Sequence, residues 1–251
     1  MKKLERLLKN HKHIVFLDFE GTQYTHEMIA IGAVACSLDR NSKIKKMKKP
    51  FKIFVKAKNK IGKYVVELTG ITEDLLQKEG VSFGEAMEQL KKYVGLNFKK
   101  ASFVTFGNHD MRILNQSIAY SIGSFPKEIT SQIQKNYLDY SAFISDYIRD
   151  QKGNPLSLIH YCEYFGLKAE GIAHDPSYDA LNLAYLYNAF LENKALVLDG
   201  YKKVLGQTRH FPDPVSYAVK KLASGEDVSG AEFEEVIRKS LEWSNTQMDK
   251  I

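Results

Sequence analysis

His13-Ile14-Val15-Phe16-Leu17-Asp18-Phe19-Glu20-Gly21-Thr22 is the stretch on which the fold turns. An apolar run bounded by polar residues predicts a buried strand over His13–Phe19. The run stops at Asp18, far short of a membrane span. Side chains alternate along a strand, so Asp18 and Glu20 leave from the same face. Two acids at the edge of a hydrophobic core repel each other and lose hydration unless a cation neutralises them. Hard oxygen donors at this spacing suit Mg²⁺ or Mn²⁺. A strand that simply emerges into solvent also carries such acids, so the pair takes its meaning from partners elsewhere in the chain.

Working outward, Glu27–Ser37 reads as a second strand and Phe51–Val55, alternating apolar with polar, as a third. A turn-like Asp39-Arg40-Asn41-Ser42 lies between them, and connections this short favour antiparallel pairing. The pattern then changes. Ser82–Val94 has helical spacing behind a Ser82-x-x-Glu85 capping box. Strand Ala101–Phe106 precedes helix Met111–Ile122, and a short strand Tyr137–Asp139 precedes helix Ala142–Arg149. Helices Leu156–Phe165 and Pro176–Leu191 follow, the first ended by Gly166 and the second opened by Pro176. A short amphipathic helix is expected over residues 2–10. Three meandering strands and then strand–helix alternation predict an α/β fold, a mixed sheet of about five strands with helices on its faces. After about residue 200 the strand signals vanish, and Pro214–Ala223 and Ser229–Trp243 predict a helical appendix.

The 251 residues are 44% hydrophobic and 26% charged, which excludes disordered, collagen-like and coiled-coil classes. No long apolar core follows the basic N-terminus as a signal peptide requires. Two cysteines, Cys36 and Cys162, make no disulfide framework, and a reducing cytoplasm is the expected compartment. Net charge is +6, yet residues 39–63 hold eleven Lys or Arg against one acid. A concentrated basic segment on an otherwise mildly acidic chain points to a polyanionic partner such as nucleic acid. A solvated lysine-rich hairpin that protects a sheet edge has the same composition.

Two further acids have settings like those of Asp18 and Glu20. Asp110, in Phe106-Gly107-Asn108-His109-Asp110, follows a strand's C-terminal end, where open α/β sheets place ligands; it could equally cap the next helix. Asp179, in His174-Asp175-Pro176-Ser177-Tyr178-Asp179, lies early in an amphipathic helix. His174, five positions earlier, falls in the preceding loop, within reach of the same face, and histidine titrates near neutrality as a general base should.

An acidic pair on strand one, an acid after a later strand and His-x-x-x-x-Asp at a late helix together resemble the DEDDh exonucleases of the DnaQ-like, RNase H-fold superfamily. The resemblance narrows to the KapD-like and enhanced-RNAi type of 3′→5′ exonuclease. Its blocks here are Asp18-Phe19-Glu20-Gly21-Thr22, Glu27-x-Ile29-x-Ile31-Gly32-Ala33-Val34, Leu68-Thr69-Gly70-Ile71-Thr72, Phe106-Gly107-Asn108-His109-Asp110 and the His174–Asp179 stretch. They span roughly residues 13–192. The resemblance implies an RNase H-like mixed five-stranded sheet flanked by helices, with an exonuclease domain over residues 1–195; residues 193–251 lie outside the resemblance, and the helical signals above make residues 196–251 a helical C-terminal extension. It implies two Mg²⁺ ions, with Mn²⁺ able to substitute, held by Asp18, Glu20, Asp110 and Asp179. Asp18 is shared between the ions, Glu20 and Asp179 complete the first site, and Asp110 holds the second through water. His174 then takes a proton from the attacking water, with Glu20 as its catalytic companion. Groups around Gly21, Thr22 and Leu68, together with His174, hold the terminal nucleotide. The partner is nucleic acid with a free 3′ end, RNA or single-stranded DNA with RNA favoured, and the products are nucleoside 5′-monophosphates. No membrane is involved. Asp175 and Pro176, and the approach Lys63-Tyr64-Val65-Val66-Glu67, depart from the family pattern and bear on the cleft's entrance rather than on the chemistry.

Three other readings use some of the same residues. A DNA-directed proofreading or repair nuclease shares every catalytic group. A non-catalytic nucleic-acid-binding module keeps the basic segment but normally loses an acid or the histidine, and all five are present. An interaction role for residues 200–251 is compatible with either. P-loop enzymes find no support, because Gly-x-x-x-x-Gly-Lys is missing from the sequence, and the one Gly-x-Ser-x-Gly, Gly80-Val81-Ser82-Phe83-Gly84, carries the Ser82 already read as a helix cap rather than as a nucleophile.

Overall fold

A computed structural model describes residues 1–121, 126–171, 174–207 and 211–242. Its strands are β1 (His13–Gly21), β2 (Met28–Leu38), β3 (Ile44–Met47), β4 (Phe51–Phe54), β5 (Ala101–Thr105) and β6 (Tyr137–Asp139). They form one mixed sheet in the order β3-β2-β1-β5-β6, with β4 as a second partner of β2. β1 runs antiparallel to β2, to which a short loop joins it, and parallel to β5, which it reaches only after a long helical crossover. The expected sheet is therefore present and five positions wide. It holds six strands because β3 and β4 share one edge of β2, β3 beside Cys36–Leu38 and β4 beside Ala30–Ala33.

The helices are α1 (Lys2–Leu7), α2 (Lys63–Thr69), α3 (Glu73–Glu79), α4 (Phe83–Val94), α5 (His109–Tyr120), α6 (Lys127–Lys135), α7 (Tyr140–Ser145), α8 (Leu158–Tyr164), α9 (Pro176–Glu192), α10 (Lys194–Gln207), α11 (Asp213–Ala223) and α12 (Gly230–Glu242). The expected ends of two helices, at Ile122 and Trp243, lie outside the described residues. The chain divides into two compact units. One comprises Met1–Phe143 with Ser157–Asn193, and the other Ile144–Leu156 with the chain from Lys194 onward.

In the first unit the alternation along β1 decides what each face meets. Val15, Leu17 and Phe19 point into a core built with Met87 and Leu90 of α4, Ile113 of α5 and Ile133 of α6. The other face, carrying Phe16, Asp18 and Glu20, meets α9, where the Phe16 and Tyr187 rings lie edge to face at 5.4 Å. α9 is apolar on nearly every side, from Ala180 and Leu181 to Phe190, so it is a buried helix laid across the sheet. Ser82 caps α4 by accepting from the Glu85 amide at 3.2 Å, as the capping signal predicts. In the second unit, Lys221 of α11 donates to Glu232 of α12 at 2.7 Å, and the Ser229 hydroxyl accepts from the Glu232 amide at 3.1 Å. Among the described residues, no helix is long and apolar enough to cross a membrane.

Candidate active site

The site grows from one row across three strands. Asp18 of β1 stands opposite Gly32 of β2, and Gly32 stands opposite Lys52 of β4. A side chain at Gly32 has nowhere to go. A β-carbon built there would lie 1.9 Å from the Pro176 carbonyl oxygen. The missing side chain lets the start of α9 rest on the sheet directly beside Asp18, and so brings in Asp179, within the first turn of that helix.

Around this point the carboxylates converge. Glu20, His174 and Asp179 each offer a ligand atom, and these atoms all lie within 4.8 Å of one another. Asp18 is pushed well above the ordinary carboxylate range, first by burial and then by the fields of Asp110, Glu20 and Asp179. Asp110 enters from the first turn of α5, and its carboxylate accepts the Phe19 amide of β1 at 2.7 Å. Burial raises it to about 7 against those hydrogen bonds. Asp110 is thus not the cap of its helix, since Asn108 occupies that position. Burial and then the neighbouring Asp179 and Asp110 lift Glu20 to about 8, while the Lys52 ammonium pulls it partly down. Asp179 is likewise raised, chiefly by burial. His174 has an exposed side chain and a left-handed backbone at φ 65°, and its amide donates to Asp179 Oδ2 at 3.1 Å.

The remaining site expectations have different settings. Gly21 ends β1 at a bulge, packed so closely on Ile113 that an added β-carbon would come within 2.9 Å of it. Thr22 is turned inward: its amide donates to the Glu27 carbonyl at 2.8 Å and its hydroxyl accepts from the Glu27 amide at 2.9 Å. Leu68 stands exposed on α2. The loop before that helix is tied to the Thr22 turn, since the Gln23 amide donates to the Ile61 carbonyl at 2.8 Å. The exposed Lys45 and Lys46 lie on β3, whose partner Ser37 pairs with His13 at the far end of β1. That is five residues from Asp18, or about 17 Å along the strand. Lys48 has a structural task there, donating to the Val94 carbonyl at the end of α4 at 3.3 Å.

Three residues to which the sequence assigns no site role shape the site. Gly32 admits α9 and Lys52 faces the carboxylates. The buried Glu27 carboxylate accepts the amides of Lys58 and Asn59 at 2.8 and 2.9 Å, pinning that loop. A lone acid just before a strand was the available signal for Glu27; the other two depend on cross-strand register.

Half-buried and buried, mutually repelling carboxyls with a histidine beside them fit a hard divalent cation, which would satisfy the charge that the fold has partly desolvated. A consequence follows for stability. Above the ordinary carboxyl values of 3.8 and 4.5, folded Asp110 holds its proton up to a pH of about 7 and folded Glu20 up to about 8, whereas the unfolded chain has released both. More protons on the folded state means that stability falls as pH rises through this window. The melting temperature of metal-free protein is therefore expected to drop between pH 5 and 8 by a component that saturating divalent cation removes. Calorimetry with chelator and with metal checks this; a metal-free slope of opposite sign, or one untouched by metal, would contradict it.

A family model described as Exonuclease matches residues 15–187. Among curated proteins, none matches this sequence significantly. Among solved structures, the chain is similar to the nuclease domain of 3′hExo, a DEDDh family member bound to rAMP. That likeness has 20% identity and a TM-score of 0.57, over 73% of this chain and 93% of that one. It is also similar to cell-death related nuclease 4, at 25% identity and a TM-score of 0.58, over 72% of this chain and 64% of that one. E. coli exonuclease I in complex with a dT13 oligonucleotide matches at 17% identity and a TM-score of 0.55, over 75% of this chain and 43% of that one.

Proposed function

We propose, because this chain belongs to the exonuclease family, that it shortens nucleic acid from a free 3′ end, RNA in preference to DNA, and releases nucleoside 5′-monophosphates. The observation that carries the reading is the convergence of Glu20, His174 and Asp179 beside the half-buried Asp18 and the buried Asp110. Asp18, Glu20 and Asp179 would hold one Mg²⁺, and Asp18 with Asp110 a second, with Mn²⁺ as a substitute. When bound, such ions polarise the phosphate and stabilise charge on the attacking and leaving oxygens. His174 accepts a proton from the attacking water at its imidazole. Asp179 holds the backbone from which that imidazole projects. Gly21 and the exposed Leu68 flank the terminal base, and Thr22 keeps its turn closed. Lys45 and Lys46 meet phosphates upstream, so binding weakens as salt rises.

The five sequence blocks support the KapD-like and enhanced-RNAi type, and with it RNA. The likeness to exonuclease I, solved with dT13, favours the second reading of a DNA-directed enzyme. Incubation with 3′- and 5′-labelled RNA and DNA of one sequence separates them. A 3′ label is expected to leave at once as mononucleotide, faster from RNA; early loss of the 5′ label, or internal cuts, would overturn the polarity.

His174→Ala is expected to lose about 10²- to 10⁴-fold in rate, the range for removal of a general base, while still binding divalent metal. Equal rates for variant and parent would make His174 a bystander.

A further inference from the structure

We infer that Lys52 is a positioning residue for His174, acting through its ion pair with Asp175 to fix the entry to α9 beside the carboxylate cluster. The inference deepens the nuclease reading above and rests on it for its kinetic arm alone.

Lys52 lies two strands from Asp18 in the same cross-strand row, with Gly32 between them, so its side chain rises on the face that receives α9. Its ammonium stands 5.0 Å from the centre of the Phe54 ring, which steadies its stem, and donates to Asp175 Oδ2 at 2.7 Å. The other oxygen of Asp175 is equally occupied. It accepts the Ser177 amide at 3.0 Å and the Ser177 hydroxyl at 2.6 Å, capping α9. Asp175 therefore joins strand β4 to the first turn of the helix with one oxygen for each. The side chains of the pair are only 32% and 22% exposed, drier than an ordinary surface pair.

His174 is the residue that needs such a hold. Its φ of 65° is one that non-glycine residues seldom adopt, so neighbours must fix it. From one side its amide is held by Asp179. From the other, the next residue is anchored to Lys52, while Pro176 rests on Gly32. Removing the ammonium frees the Asp175 oxygen that faces the sheet and leaves Asp175 tied only to its own helix. The imidazole's place relative to Asp179 then loosens, and misplacement on the scale of an ångström costs rate rather than binding. Lys52 also faces Glu20, whose carboxyl it stabilises as an anion. A purely electrostatic role would therefore act on metal affinity, which gives the two roles different signatures.

The test uses the full chain with Lys52→Met, Lys52→Arg, Asp175→Asn and the Lys52→Met/Asp175→Asn pair. Lys99→Met, which breaks an exposed ion pair with Glu128, serves as the control. Lys52→Met and Asp175→Asn are each expected to lower kcat by about 10- to 100-fold on a short oligonucleotide with KM and the half-saturating Mg²⁺ little changed. The double variant should be no worse than either single one, because both cut the same link. Lys52→Arg should recover most of the rate, and Lys99→Met should match the parent. In metal-free protein without substrate, the amides of His174, Ser177, Tyr178 and Asp179 should exchange faster with solvent in Lys52→Met than in the parent. This arm decides the latch even if the wild-type chain shows no nuclease activity. Unchanged exchange there, additive losses in the double variant, or a kcat loss fully restored by extra Mg²⁺ would each overturn the inference.

Discussion

Asp18→Asn is expected to lower the rate of nucleotide release by about 10³-fold or more, since a group that fixes charge-stabilising metal contributes several kcal/mol to the transition state. The same substitution should raise the melting temperature of metal-free protein at pH 8. Burial and the fields of Asp110, Glu20 and Asp179 all oppose ionisation of Asp18, so the native carboxylate destabilises the fold that carries it. An amide of the same shape removes the repulsion. A gain of about 1 kcal/mol would appear as some 2–4 °C for a chain this long. Opposite signs for activity and stability mark a residue kept for chemistry. Melting curves in chelator and rates in Mg²⁺ give both numbers. A variant that keeps the parent's rate would remove Asp18 from the metal set, and one that melts lower without metal would show that the carboxylate was satisfied by the protein alone.

The second large effect is expected at a residue with no chemistry of its own. In Gly32→Ala the new β-carbon would sit 1.9 Å from the Pro176 carbonyl oxygen and 2.5 Å from the Ser177 amide nitrogen. Backbone atoms cannot rotate aside as a side chain can, so the start of α9 must lift from the sheet. Overpacking of this kind costs about 1–3 kcal/mol. The functional loss should be larger, about 10²-fold, because Asp179 and His174 both move with the helix while Asp18 and Glu20 stay on β1. Gly206→Ala supplies the contrast. Its β-carbon would meet Ala223 at an ordinary 3.6 Å, and alanine favours the α10 helix, so rate and melting temperature should hold or improve. Comparable behaviour of the two variants would mean that close packing at Gly32 does not set the site.

Much of this geometry was legible in the sequence, and the reasons are local. β1 announces itself because its apolar run ends in acids two apart, which the strand period turns to one face. Asp110 and Asp179 are legible because strand ends and helix starts can be read from alternation and from Pro176. Gly32 and Lys52 are not legible, because their places depend on register across β1, β2 and β4, and linear spacing does not encode register. β3 was hidden by its lysines: Ile44 and Met47 are too few to show alternation, and the segment's composition spoke of charge alone. α2 and α3 escaped for another reason. Each has seven residues, and α2 contains Val65, Val66 and Thr69, poor helix formers that hold only because Val65 and the neighbouring Ile71 bury against Ile29 and Ile61. Thr22 was assigned to substrate by resemblance, whereas its hydroxyl and amide are both engaged in closing its own turn.

The most direct measurement follows a 5′-labelled oligoribonucleotide with the wild-type chain in Mg²⁺, in excess chelator, and after Mg²⁺ is restored, and identifies the released nucleotide. The expected result is a ladder that shortens one residue at a time from the 3′ end, releases nucleoside 5′-monophosphate, stops in chelator and resumes with metal. Digestion that continues undiminished in chelator, or products that leave with a 3′-phosphate, would contradict the assignment of Asp18, Glu20, Asp110, Asp179 and His174 to a metal-dependent 3′ exonuclease.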